Sequence, residues 1–318
     1  MMGEDNMRID AQINKAVALL RAGELVAFPT ETVYGLGADA SNVKALEKIF
    51  AAKGRPADHP LIVHIADVGQ ISDWATDVPA TALALAEAFW PGPLTLILKK
   101  AEAVADLITG GQDTVGLRMP NHPVARALLR EFGGGVAAPS ANRFGRISPT
   151  TAAAVVEELG TAVNLVLEGG QCAVGVESTI VDVSGSAPVL LRPGMISVAA
   201  LEAVLKQPVR LENLSQTRVS GSHAMHYAPQ TPSKLVAGVA AVGDITTPCA
   251  LVFYSSISKE VPGMQYVKMS ANAEQYAHDL YQVLRELDKK NLSQILIEAV
   301  PESGEWDAVR DRLSRACG

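Results

Sequence analysis

Cysteine, aromatic residues, positive charge and long apolar runs are all scarce in this chain, and each shortage argues against a class of protein. Cys172, Cys249 and Cys317 are the three cysteines in 318 residues, and they form no CxxC pair and no metal-like cluster with histidine. A disulfide scaffold is disfavoured, and buried or incidental thiols are expected. Aromatics make up 5% while Ala, Val and Leu are abundant, which favours helices over parallel strands rather than an aromatic-rich sandwich. The opening MMGEDNMRID holds no apolar signal core, and no run approaches the ~18 apolar residues that span a bilayer. The expectation is a soluble, cytoplasmic protein with no membrane partner. A formal charge of −7 and a pI near 5.4 argue against a nucleic-acid coat or a polybasic membrane binder, though a local basic patch is still allowed.

What is present is enough for a sizeable core: 48% hydrophobic against 19% charged residues. The length suggests two domains at roughly 100–200 residues each. Residues 1–205 hold 15 Lys+Arg against 22 Asp+Glu, and the remainder holds 12 of each, so the whole excess lies in the first part. An acidic lobe that handles an anionic ligand must gather its few cations in one place.

The pattern predicts a helix over 9–23, capped by Asp10, with Ile13, Val17 and Leu20 on one face and Gly23 as its stop. A buried strand follows at 25–28. Asn42 caps a second helix with Val43, Leu46, Ile49 and Phe50 at helical spacing. Strands at 61–65, 94–98, 114–117, 136–138, 165–167, 179–183 and 189–191 alternate with helices at 79–90, 123–132, 151–159 and 198–205. This reads as a mixed α/β domain over 1–205, and the repeat is too irregular for a wholly parallel sheet. Residues 206–232 have weak periodicity and many turn formers, and read as a linker or functional loop. Strands at 250–254, 265–268 and 294–298 with helices at 273–289 and 306–316 make a second, small α/β domain over 233–318.

Chemistry can sit in six places. The segment 29–37, PTETVYGLG, follows a strand; it reads as a ligand loop or as a polar turn with a capping glycine, and it is neither a Walker loop nor GxGxxG. Lys53-Gly54-Arg55-Pro56 either meets phosphate oxygens or opposes a helix dipole. His59 and His64 are poor metal candidates, and His64 reads as a half-buried histidine within an apolar strand. Arg118 ends a strand and needs an anionic partner, either a carboxylate of the protein or a ligand. Residues 138–150, APSANRFGRISPT, crowd donors between a strand and a helix, where an anion or simple capping by Ser148 and Thr150 accounts for them. GVESTIVD at 175–182 with LRPG at 191–194, and HYAP at 226–229, complete the set.

Taken together, PTETVYGLG, KGRPADHPLIVH, PGPLTLIL, TVGLRMPNHP, APSANRFGRISPT, GVESTIVD, LRPG and HYAP resemble the YrdC-domain family in its two-domain form, the threonylcarbamoyl-AMP synthases. The resemblance implies a twisted, open mixed sheet with helices and a concave basic cavity, plus a small Rossmann-like C-terminal domain. It implies that L-threonine, bicarbonate or CO2 and ATP give threonylcarbamoyl-AMP and pyrophosphate. Mg²⁺ would be bound through the ATP phosphates and not by protein side chains. The product would pass to a tRNA threonylcarbamoyl transferase complex, and weak RNA binding is allowed.

Carried over by motif, the resemblance places threonine on Thr32, His64, Arg118, Ala138 (through its backbone) and Ser178. It places ATP on Arg55, His59, Thr114, Ser140, Ser148, Arg192 and Tyr227. Lys53, Arg55, Ser140 and Asn142 would carry the catalysis, Lys53 and Asn142 against the phosphates or one layer behind them. Two alternatives stand beside this reading. Carbamoyltransferases of hydrogenase maturation share the domain but carry acylphosphatase and zinc-finger segments that this sequence lacks. A pure RNA-binding module is opposed by the acidic charge.

Overall fold

The computed structural model describes residues 2–211, 217–219, 227–238, 248–257 and 263–318, with the side chains of 2–9 excepted. Helix α1 (Met2–Arg21) buries Ile13, Ala16, Val17 and Leu20 against Leu128 and Leu129. Gly23, at φ 74°, ends it by donating to Leu20 O. Asp10 lies inside this helix and not at its cap. The preceding MGEDNMRI carries no proline or glycine beyond Gly3 and continues the helix, although its polar run shows no apolar periodicity.

Strand β1 (Val26–Phe28) pairs antiparallel with β2 (Gly35–Asp39), Val26 opposite Gly37. The last third of the expected ligand loop, residues 35–37, is therefore strand. A Cβ on Gly37 would stand 2.8 Å from Phe28 and 2.9 Å from Val136, so this glycine serves close packing rather than a turn. Helix α2 (Val43–Lys53) starts where Asn42 Oδ1 accepts the Ala45 N–H and stops at Gly54, φ 61°. Leu46, Ile49 and Phe50 are buried, whereas Val43 is 48% exposed and lies off their face.

The remaining elements of the first part are β3 (Ile62–His64), α3 (Ile71–Trp74), α4 (Ala80–Phe89), β4 (Leu94–Lys99), α5 (Asp106–Thr109), β5 (Thr114–Arg118), α6 (Pro123–Phe132), β6 (Val136–Ala137), α7 (Ala152–Leu159), β7 (Leu165–Val166), β8 (Thr179–Asp182), β9 (Val189–Arg192), α8 (Val198–Leu205) and β10 (Arg210–Leu211). Among the described residues they form one sheet in the order β10-β9-β8-β4-β5-β3-β6-β2-β1-β7. β3·β5 and β4·β8 are parallel while β4·β5, β2·β6 and β8·β9 are antiparallel, so the sheet is mixed as expected.

A second sheet holds β11 (Ser233–Val236), β12 (Cys249–Phe253), β13 (Met264–Lys268) and β14 (Gln294–Glu298), all parallel, in the order β11-β14-β12-β13. Helices α9 (Ala273–Asp288) and α10 (Asp307–Cys317) accompany it. Strand β11 has no counterpart in the sequence reading, because four residues, SKLV, are too short for a periodic signal. Residues 212–216 and 220–226 of the expected linker lie outside the described residues.

The apolar core of the second unit does not stop at its own elements. Val33, Ile147, Val176 and Tyr227 join Tyr276, Tyr281 and Leu284 in one buried cluster. The loops that carry the sequence motifs are thus clamped between the large sheet and α9.

Candidate functional site

A cavity opens among the motif loops. Its floor comes from neighbouring strands: parallel pairing of β3 and β5 sets His64 beside Arg118 in register. The loop before β2 is knotted by Thr30, whose hydroxyl donates to Val33 O at 2.6 Å and accepts the N–H groups of Thr32 and Val33. The Thr32 hydroxyl is then the donor in its 2.9 Å contact with Thr30.

Arg118 answers the question its sequence position raised. Its Nη2 donates to Glu31 Oε1 at 2.6 Å, and Glu31 Oε2 accepts the Asn121 N–H at 2.8 Å. The protein supplies one anionic partner, yet Arg118 Nε stays buried with no hydrogen-bond partner among the described residues. Beside it, His64 is buried rather than half-buried, and its Nδ1 is likewise unpartnered. Burial, then the charge of Arg118, lowers the His64 pKa to about 3, so its ring is neutral near pH 7.

Further along the same sheet, Arg192 donates from Nε to Ser178 O at 3.0 Å and from Nη2 to Ser178 Oγ at 3.1 Å. Ser178 Oγ also meets Thr95 Oγ1 at 2.8 Å. Arg55 reaches the cavity from beyond α2 and donates to Pro60 O at 2.8 Å; burial brings its pKa down to about 10. Ala138, Ser140 and Tyr227 also line the cavity.

The other residues expected at the site stand outside that lining. Lys53 is buried and spends its ammonium on Ser140 O and Asn142 O, both at 2.5 Å. Asn142 Nδ2 donates to Arg143 O and Arg146 O. Both shape the 140–146 loop from behind. Thr32 is buried beneath its loop, and Ser148 donates to Glu177 Oε1 at 2.5 Å. His59 lies edge-on to Phe144 at 5.1 Å. Thr114 lines a neighbouring groove that shares Ile62 with the main cavity.

Three functional side chains escaped sequence reasoning. Glu31 and Glu177 sit inside quoted motifs but received no role. Arg312, on α10, lies in no motif at all; its Nε donates to Glu177 Oε2 at 2.7 Å. Burial opposes ionisation of Glu177, but the charges of Arg312 and Arg192 and the Ser148 hydroxyl outweigh it and hold the carboxyl at about 2. Glu177 in the cavity lining and Glu31 behind Arg118 are both ion-paired, while three arginines face the cavity. Burial pushes the Cys172 thiol up to about 12, so it is no ready nucleophile. The arrangement suits binding of anions and reaction between bound molecules.

Comparison with known proteins supports this. A family model described as "Telomere recombination" matches residues 18–194, and one described as "Threonylcarbamoyl-AMP synthase, C-terminal domain" matches residues 196–318. A threonylcarbamoyl-AMP synthase of Bacillus subtilis is 42% identical, with 97% of this chain and 94% of that protein covered. One of Pyrococcus abyssi is 38% identical over 96% of this chain and 94% of that protein. The crystal structure of P. abyssi Sua5 complexed with L-threonine superposes with a TM-score of 0.88 at 39% identity, covering 96% of this chain and 94% of that one.

Proposed function

The chain belongs to the threonylcarbamoyl-AMP synthase family, and on that premise we propose that its arginine-lined cavity holds threonine and ATP side by side. It is an ATP-using nucleotidyl-transferring enzyme. L-threonine, bicarbonate or CO2 and ATP become threonylcarbamoyl-AMP and pyrophosphate, for threonylcarbamoyladenosine formation on tRNA next to the anticodon. The single observation that carries the site assignment is the convergence of Arg55, Arg118, Arg192 and a neutral His64 on one cavity.

The threonine amine forms its N–C bond to CO2 and loses a proton, giving a carbamate. A carbamate oxygen then attacks the α-phosphorus, and the bond to the β-phosphate breaks with its electron pair leaving on pyrophosphate. No enzyme nucleophile is needed, so the chain contributes positioning and charge. An anion attacking a polyanion is opposed by repulsion, and the arginines reduce it. Arg118 takes the threonine carboxylate on the edge that Glu31 leaves open, with His64, Ser178 and the Ala138 backbone around it. Arg55, Ser140, Arg192 and Tyr227 take the nucleotide, with Thr114 at the groove beyond Ile62. Lys53 and Asn142 hold the Ser140 loop in place.

Among the described residues no group of three His, Cys, Asp or Glu could hold a metal, and Glu177, the carboxylate in the cavity lining, is engaged by Arg312. Mg²⁺ would arrive on the ATP phosphates, where it would spread their charge. Residues 1–205 form the catalytic domain, 206–232 a linker that brings Tyr227 to the cavity, and 233–318 the second domain. The product passes to a separate transferase in the cytoplasm; no helix among the described residues is long and apolar enough to cross a membrane.

The test is pyrophosphate release with threonine, bicarbonate and ATP omitted in turn. Release is expected only with all three. Equal turnover without threonine would contradict the assignment.

A further inference from the structure

The second α/β unit sends two side chains against Glu177, a residue of the cavity wall. Arg312 of α10 is 0% exposed. Besides its bond to Glu177 Oε2, it donates from Nη2 to the Glu177 main-chain oxygen at 3.2 Å and from Nη1 to Pro193 O at 3.1 Å. Tyr281 of α9 donates to the same Glu177 Oε2 at 3.0 Å. The segment is also seated on α9 through its backbone: a Cβ on Gly175 would lie 2.5 Å from Ala277 O and from His278 Cα.

One guanidinium therefore ties together two segments, at Glu177 and at Pro193. The adjoining residues, Ser178 and Arg192, are the ones that face the cavity and bond to each other. The same guanidinium lies 5.2 Å over the Tyr227 ring, which stacks on Tyr281 at 6.0 Å.

We propose that Arg312 is a positioning residue of the active site: by neutralising Glu177 it keeps the Arg192 guanidinium on Ser178, at the cavity wall. A buried carboxylate requires a cation. Glu177 has three within electrostatic reach: Arg312, Arg192 and Lys53, whose amino group is already held by Ser140 O and Asn142 O. With Arg312 gone and Lys53 held on the 140–142 loop, Arg192 is the cation left to compensate the carboxylate, and pairing with Glu177 draws it off Ser178 and away from the ligand. The last helix of the chain thus governs anion binding without touching the anion, and the second unit completes the site in cis. This rests on the functional reading above, in which Arg192 serves the nucleotide.

The experiment compares wild type, R312M, R312K and E177Q/R312M by pyrophosphate release, with thermal unfolding to establish that each is folded. R312M is expected to raise the KM for ATP about tenfold or more while moving the KM for threonine less than about threefold. E177Q/R312M is expected to recover most of that loss, since no carboxylate then competes for Arg192. A merely architectural role would shift both constants alike and leave the double variant worse than the single. An R312M KM for ATP within about twofold of wild type, or a double variant no better than R312M, overturns the proposal. Should R312M not fold, R312K carries the measurement: a rise of about threefold for ATP alone supports the proposal, and an unchanged KM overturns it. Wild-type protein that releases no pyrophosphate would instead fail the functional reading.

Discussion

Arg118 and Arg312 are both buried beside a glutamate, and they differ in how many of their donors are taken. Arg312 uses Nε, Nη1 and Nη2 on Glu177, Pro193 and Asp311. Arg118 uses Nη2 on Glu31 and keeps Nε buried without a partner among the described residues. A buried donor left unmade costs about 1–3 kcal/mol, which an incoming oxygen atom removes. Arg312 is finished and fastens; Arg118 is unfinished, and in the proposed function it binds. Two ion pairs of the same chemistry thus serve different ends at one cavity.

The largest expected effect breaks each pair from its acid side. Glu177→Ala takes one of two carboxylates from the fully enclosed Arg312, leaving Asp311, and strips the buried Ser148 and Tyr281 hydroxyls of their acceptor; it should cost about 3–5 kcal/mol in urea unfolding. Glu31→Ala should cost roughly half as much, because Arg118 borders the cavity, where water can reach it. Equal losses, or the reverse order, would break the comparison.

A second effect probes the unfinished side. His64 has a folded pKa near 3 against an ordinary 6.5, so between these values the unfolded chain binds a proton that the folded chain refuses. Stability therefore falls as pH falls, by ~1.4 kcal/mol per pH unit from this group. His64→Gln should lose that share of the slope between pH 6 and about 4.5. Parallel pH profiles for the two proteins would mean that Arg118 and burial do not keep the ring neutral.

The smallest lies away from both pairs. Asn42→Ala removes the cap of α2 and should cost about 1 kcal/mol with turnover unaltered. A loss of turnover there would show that the site is less insulated from the scaffold than the packing indicates.

Much of the fold was legible, since Ile13, Val17 and Leu20 or Leu46, Ile49 and Phe50 repeat at the helical period and are buried as that period requires. Strand β2 was not, because its glycines read as a turn while the contact that requires them, Phe28 against Gly37, exists only once the strands pair. At the site, motifs located Arg55, Arg118 and Arg192 at the cavity, but gave no direction to side chains. Lys53 and Asn142 face the loop behind it. Arg312 was invisible for a different reason. Its partner is 135 positions away, and such a contact leaves no trace in spacing or periodicity.

The central claim is that one cavity holds two anions on different arginines, and Arg118→Met measured beside Arg192→Met tests it most directly. In folded proteins, Arg118→Met should raise the KM for threonine about thirtyfold or more and leave that for ATP within about threefold, and Arg192→Met should do the reverse. Equal rises in both constants for both variants would contradict it.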